Sequence, residues 1–145
     1  MKHLMVATDG SASADRAVDE AARMAKQSGA DLLIVHVIGG YGLPGTVLER
    51  FTLPEHTWFD ELLDTYSAQV LTQAKARAQA LGVPDARLAS YRGEIVPAIL
   101  QAAQQQHIDA IVVGRRGTGH MSSLLLGSTA QKLVSLSPCV VTVVP

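Results

Sequence analysis

The residues best suited to chemistry lie late in the chain. Gly114-Arg115-Arg116-Gly117 is followed, after nine residues, by Gly127-Ser128-Thr129, a G-x2-G-x9-G-S spacing. An apolar run over residues 109–113 leads into the first cluster, and a helical pattern begins near Ser128. A helix start offers unpaired backbone N–H groups and a partial positive charge, which suit an anion. Glycine lets the main chain approach a phosphate where a Cβ would collide, and the Ser128 and Thr129 hydroxyls add donors. Such a loop is a phosphate cradle, the alternative being an ordinary glycine-rich connection.

The elements that must position this loop alternate between strand and helix. Residues 3–8 read as a buried strand. Residues 13–28 carry Ala17, Val18, Ala21, Ala22, Met24 and Ala25 at helical spacing, with Gly29 as a stop. Residues 31–37 form a second apolar strand. Residues 39–56 are irregular, with four glycines and two prolines, and are long for a connection in a compact domain. A long helix is expected over residues 57–81, with Phe59, Leu62, Leu63, Tyr66, Val70, Ala74 and Leu81 on one stripe and Thr57 with Asp60 as a capping box. Residues 87–92 read as an edge strand. A helix over 94–106 tolerates Pro97 in its first turn. Residues 109–113, 128–136 and 139–144 supply the fourth strand, the last helix and the last strand.

Strands separated by helices predict an α/β fold, a parallel sheet covered on both faces. With right-handed crossovers, the doubly wound order 3-2-1-4-5 is favoured. Strands 1 and 4 are then neighbours whose connections leave in opposite directions, and ligands bind in the crevice beyond such a switch point. The glycine motif follows strand 4, and Thr8-Asp9-Gly10-Ser11 follows strand 1. Two polar segments far apart in sequence therefore converge. Asp9 suits both a turn and a ligand contact, and Arg115 and Arg116 suit both a solvated loop and a phosphate.

Composition narrows the setting. A chain of 145 residues with 48% hydrophobic residues is expected to form one domain, residues 1–145. Twelve basic and 13 acidic residues give a net charge of −1, so nothing predicts attachment to nucleic acid or an acidic membrane. No secretory signal or membrane span is apparent, so the expectation is a cytoplasmic protein without membrane insertion. Cys139 is the only cysteine, which excludes an internal disulfide, and it reads as a buried, inert thiol. The five histidines show no H-x3-H pair. His36 reads as a satisfied core residue, His120 as exposed, Ser122 and Ser123 as solubilising loop residues, and Trp58 and Phe59 as packing.

Several enzyme classes drop out. There is no G-x4-G-K-[ST] loop, no G-x-S-x-G elbow, and only Gly10 where a dinucleotide fingerprint would follow strand 1. A phosphoacceptor receiver domain would need an aspartate ending strand 3 and a lysine after strand 5. Arg92 and Pro145 stand there instead. Flavodoxin-like FMN binding through residues 8–13 remains a weaker alternative, because aromatics total only 4% and the glycine motif would go unexplained.

These features resemble the universal stress protein family, in its ATP-binding branch. The likeness spans the chain: Thr8-Asp9-Gly10-Ser11, the strand Leu33-Ile34-Val35-His36-Val37, Gly93-Glu94, the Gly114-to-Ser128 motif and Pro138-Cys139-Val140-Val141. The resemblance implies a site for ATP with Mg2+, Asp9 lying near the ribose or a phosphate-bound metal. Ala7, Thr8 and Asp9 would line the crevice, and Val37 would bring its backbone to the adenine. Val113 and Gly114 would pass beneath the ribose and phosphates, Arg116 and Gly117 would reach over them, and Gly127, Ser128 and Thr129 would donate to the phosphates. Ala7 is a mild departure, since family members often carry proline there.

The last strand, Val140-Val141-Thr142-Val143-Val144, would be an edge without lysine or internal proline. Such an edge invites isologous pairing, and the resemblance also implies a homodimer through residues 140–144, with higher assembly left open. The expected role is a stress-response or regulatory module that presents a nucleotide-dependent surface to a partner such as a transporter. A slow ATPase or phosphotransferase on the same site is the alternative.

Overall fold

A computed structural model describes residues 1–39, 53–117 and 125–145, with side chains in the second stretch from residue 59 onward. In chain order the elements are β1 (His3–Ala7), α1 (Ala12–Ser28), β2 (Asp31–Ile38), α2 (Leu53–Ala80), β3 (Arg87–Arg92), α3 (Ile95–Gln105), β4 (Ala110–Gly114), α4 (Ser128–Leu136) and β5 (Val140–Val144). The five strands form one sheet in the order β3-β2-β1-β4-β5. Every neighbouring pair is parallel, and Met5 of β1 lies between Leu33 of β2 and Ile111 of β4. The expected fold and strand order are both present.

Alternation along the central strands explains why both faces are apolar. Leu4, Val6, Leu32, Ile34, Ala110 and Val112 pack toward one face with Ala17, Val18 and Ala21 of α1 and Leu71, Ala74 and Ala78 of α2. Met5, Leu33, Val35, Ile111 and Val113 pack toward the other with Val96, Ile99 and Ala102 of α3 and Ala130 and Leu133 of α4. The inner face of α1 is mostly alanine, so its backbone sits close to the sheet. Ser11 caps α1 by accepting the Ala14 N–H (3.1 Å), and Gly29 ends it at φ 72°. Met24, expected inward, is only partly buried.

The largest correction concerns α2. It begins at Leu53, so Thr57 lies inside the helix and cannot head a capping box. Pro54 is compatible with that earlier start because a first-turn proline forfeits no helical hydrogen bond. The buried face is Ser67, Val70, Leu71, Ala74 and Ala78, whereas Leu62 and Tyr66 are half exposed. Cys139 is also only partly buried, at the start of an edge strand, with Sγ 3.4 Å from Ser137 Oγ. The expectations for His120, Ser122 and Ser123, and for most of the irregular 39–56 stretch, fall outside the described residues.

Candidate functional site

The chain leaves β1 through a turn closed by its own side chains. The Thr8 N–H donates to Val35 O (2.9 Å), which continues the ladder one residue past β1. The Gly10 N–H donates to Thr8 Oγ1 (3.1 Å), and the Ser11 N–H donates to Asp9 Oδ1 (2.9 Å). This is an Asx turn feeding the Ser11 cap, and Gly10 takes the positive φ of 80° that it needs.

The end of β4 is held on three sides. The Arg115 N–H donates to Val144 O (2.8 Å), Arg115 O accepts the Gly127 N–H (2.7 Å), and the Arg116 N–H donates to Ser13 Oγ (3.2 Å). A Cβ on Gly114 would stand 2.5 Å from Ser13 Oγ and 2.8 Å from the Ser13 carbonyl group. One on Gly127 would stand 3.2 Å from Arg115 O, and one on Gly117 2.8 Å from Asp9 Oδ2. The motif glycines therefore answer first to the protein's own packing. Gly114 lets α1 approach β4, and Gly127 lets the start of α4 lie against the Arg115-Arg116 backbone.

Gly127 is the N-cap of α4, and no side chain caps that helix. Its first-turn N–H groups lack an internal partner in any α-helix, and among the described residues no side-chain oxygen caps them. Next to them opens a cavity of about 410 Å3. Its lining includes Ala7, Thr8 and Asp9 from the first turn, Val37 from β2, Val113, Gly114, Arg116 and Gly117 from the end of β4, and Gly127, Ser128 and Thr129 from the start of α4. All the residues named from the sequence thus meet around one crevice at the carboxyl ends of β1 and β4.

The structure adds a second, apolar wall. Phe59, Leu63 and Tyr66 of α2 line the cavity with Ile95 and Ile99 of α3, and Ile38 and Gly39 lie at the end of β2. The α2 residues fall at i, i+4 and i+7, a spacing that reads as ordinary core packing and gives no separate sign of a cavity. Arg115 also lines the crevice, and its buried Nε has no hydrogen-bond partner among the described residues.

His36 is buried and satisfied, as its place in a central strand implied, but it also lines the cavity. Its Nδ1 is 2.6 Å from Ser67 Oγ, which is 2.8 Å from Ser90 Oγ, while the Tyr66 ring meets it edge-on at 6.0 Å. Burial lowers the imidazole pKa from its ordinary value, and the Asp9 carboxylate opposes that shift. Among the described residues, no three His, Cys, Asp or Glu side chains are grouped to hold a metal. Among the described residues, Asp9 is the sole carboxylate in the cavity lining. Among the described residues no helix is long and apolar enough to cross a membrane.

Comparison with known proteins matches the whole chain, residues 1–145, to the profile described as "Universal stress protein family". The "Universal stress protein in QAH/OAS sulfhydrylase 3'region" of Thermus aquaticus is 38% identical over 146 residues, covering 99% of this chain and 98% of that protein. Among solved structures, universal stress protein UspA from Lactobacillus plantarum superposes with a TM-score of 0.82 at 26% identity, covering 99% of this chain and 97% of the other. A universal stress protein in complex with cAMP superposes with a TM-score of 0.71 at 28% identity, covering 99% and 95%.

Proposed function

The chain belongs to the universal stress protein family, and on that premise we propose that it is an ATP-binding member acting as a stress-response regulatory module. One observation carries the reading: the crevice joins an uncapped helix start to an apolar wall in a single cavity. Its volume of about 410 Å3 falls within the roughly 300–1,000 Å3 of small-molecule sites. An adenine nucleotide has that same division, an anionic tail and a flat apolar base. The related protein solved with cAMP holds a nucleotide of this class.

In this reading the phosphates meet the Ser128 and Thr129 N–H and hydroxyl groups beside Gly127, with Gly117 and Arg116 over them. The ribose lies against Val113 and Gly114. The base takes the Val37 backbone as its edge partner, beside Ala7 and Thr8. Asp9, the one carboxylate among the described lining residues, suits Mg2+ arriving with the phosphates, since Mg2+ is usually held by one or two carboxylates together with substrate phosphates. It does not suit a resident metal.

The wall is better built for binding than for turnover. Asp9 Oδ1 is engaged by the Ser11 N–H and His36 Nδ1 by Ser67, so a slow ATPase would have to use Asp9 Oδ2 or His36 Nε2 as its base. Nucleotide binding would then alter what a cytoplasmic homodimer presents to a protein partner, provided that partner distinguishes the loaded and empty forms. Mass spectrometry of gently purified protein tests the binding: co-purifying ATP supports it. If nucleotide-stripped protein then takes up no ATP in a calorimetric titration, the reading is wrong. An ADP assay at stoichiometric protein separates the two mechanisms, and many turnovers per site would establish the slow ATPase instead.

A further inference from the structure

The upper turns of α2 form a wall of the crevice but lack what secures the rest of the helix. From Ser67 onward, α2 is anchored by Ser67, Val70, Leu71, Ala74 and Ala78, all buried. Between Phe59 and Tyr66 no residue is buried, and Leu62 and Tyr66 are 50% and 51% exposed. Yet Phe59, Leu63 and Tyr66 line the cavity. Phe59 and Leu63 are partly buried, and turns without a fully buried residue open locally at lower cost than those from Ser67 onward.

Arg92, the last residue of β3, ties these turns down. Its Nη1 donates to Asp60 Oδ1 (2.8 Å), and its Nη2 donates to Asp64 Oδ1 (2.7 Å) and to the Asp60 carbonyl (3.2 Å). Asp60 and Asp64 stand one turn apart, each directly following a cavity-lining residue. A single exposed ion pair contributes little. A planar guanidinium shared by two carboxylates and a carbonyl fixes geometry as well as charge. Without it, two carboxylates at i and i+4 repel each other. The anchor itself is firm, because the adjacent Gly93 N–H donates to the carbonyl of Ile38 (3.2 Å), a cavity residue at the end of β2.

We propose that Arg92, which does not line the crevice, is a positioning residue for nucleotide binding: it holds Phe59, Leu63 and Tyr66 as the wall against which the base packs. This inference rests on the nucleotide reading of the site. It assigns Arg92 to the base end of the ligand, since the phosphate end lies against α4.

The test measures ATP and inorganic tripolyphosphate binding by calorimetry, with hydrogen exchange of amides 60–66, in native protein, Arg92→Gln, Arg92→Lys and Arg77→Gln. Arg77 is the control because it joins Asp15 and Asp19 of α1 to α2 away from the cavity. If the wall is then seated only a tenth to a third of the time, Arg92→Gln weakens ATP binding by about three- to tenfold. Tripolyphosphate binding stays the same, amides 60–66 exchange faster, Arg92→Lys is intermediate, and Arg77→Gln changes none of these. The proposal is overturned if Arg92→Gln matches native protein. It is equally overturned if ATP and tripolyphosphate weaken together, or if Arg77→Gln behaves alike. Should native protein bind no ATP, the nucleotide reading fails on its own, and exchange of amides 60–66 in Arg92→Gln still decides the tether.

Discussion

Asp9 commits one oxygen to the fold and turns the other toward Gly117. Oδ1 fixes the turn that starts α1, while Oδ2 lies 2.8 Å from where a Gly117 Cβ would stand. Gly117→Val should therefore press on both the phosphates and Asp9, abolishing ATP binding in calorimetry. Gly117 is exposed, so the same change should move stability by less than about 1 kcal/mol. Gly114→Ala should act first on the fold. Its Cβ would meet the Ser13 backbone at 2.8 Å, an overpacking that costs roughly 1–3 kcal/mol in urea unfolding. His36 adds a pH dependence. Burial holds its folded-state pKa below the 6.5 of the free side chain, so between those values the unfolded chain binds more protons. Its contribution is then complete above about pH 6.5 and declines as the pH falls through that window. His36→Gln should flatten the pH dependence of the urea midpoint below about pH 6.5. The sequence disclosed the polar half of this site because glycine spacing and a helix start have few other uses together. It concealed Phe59, Leu63 and Tyr66, whose apolar character is the same whether they face a core or a cavity.

At the level of elements, strand order was legible because both-face burial makes β1, β2 and β4 continuous apolar runs, and the crossover rule does the rest. The start of α2 was not legible. Thr57 and Asp60 imitate a cap, whereas Pro54 marks the first turn, and local chemistry could not rank the two signals. The buried stripe of α2 departs from the expected one for a related reason: periodicity identifies an apolar face but not how far the sheet beneath it extends. The seat of α4 depends on Leu133, fully buried against β4 and α3. Leu133→Ala should cost about 2–5 kcal/mol, read as a lower denaturation midpoint.

The whole molecule presents β5 as an edge with a hydrogen-bonded neighbour on one side only. Val140 is 61% exposed and Leu136, at the end of α4, 63%. An apolar edge without charge invites strand pairing, and two-fold pairing of residues 140–144 gives the proposed homodimer. Light scattering should return a dimer mass for native protein and a monomer for Val140→Lys, with unchanged circular dichroism. A native monomer at micromolar concentration would remove the dimer from this account. With a net charge of −1, assembly of this kind should depend only weakly on salt.

The central claim is that nucleotide phosphates settle on the start of α4. Amide NMR of nucleotide-stripped protein titrated with ATP addresses it residue by residue. The Ser128 and Thr129 amides should show the largest shifts, followed by Asp9, Gly117 and Gly127, whose own N–H is already given to Arg115 O. Saturable ATP binding that left the Gly127–Thr129 amides unmoved would contradict the account.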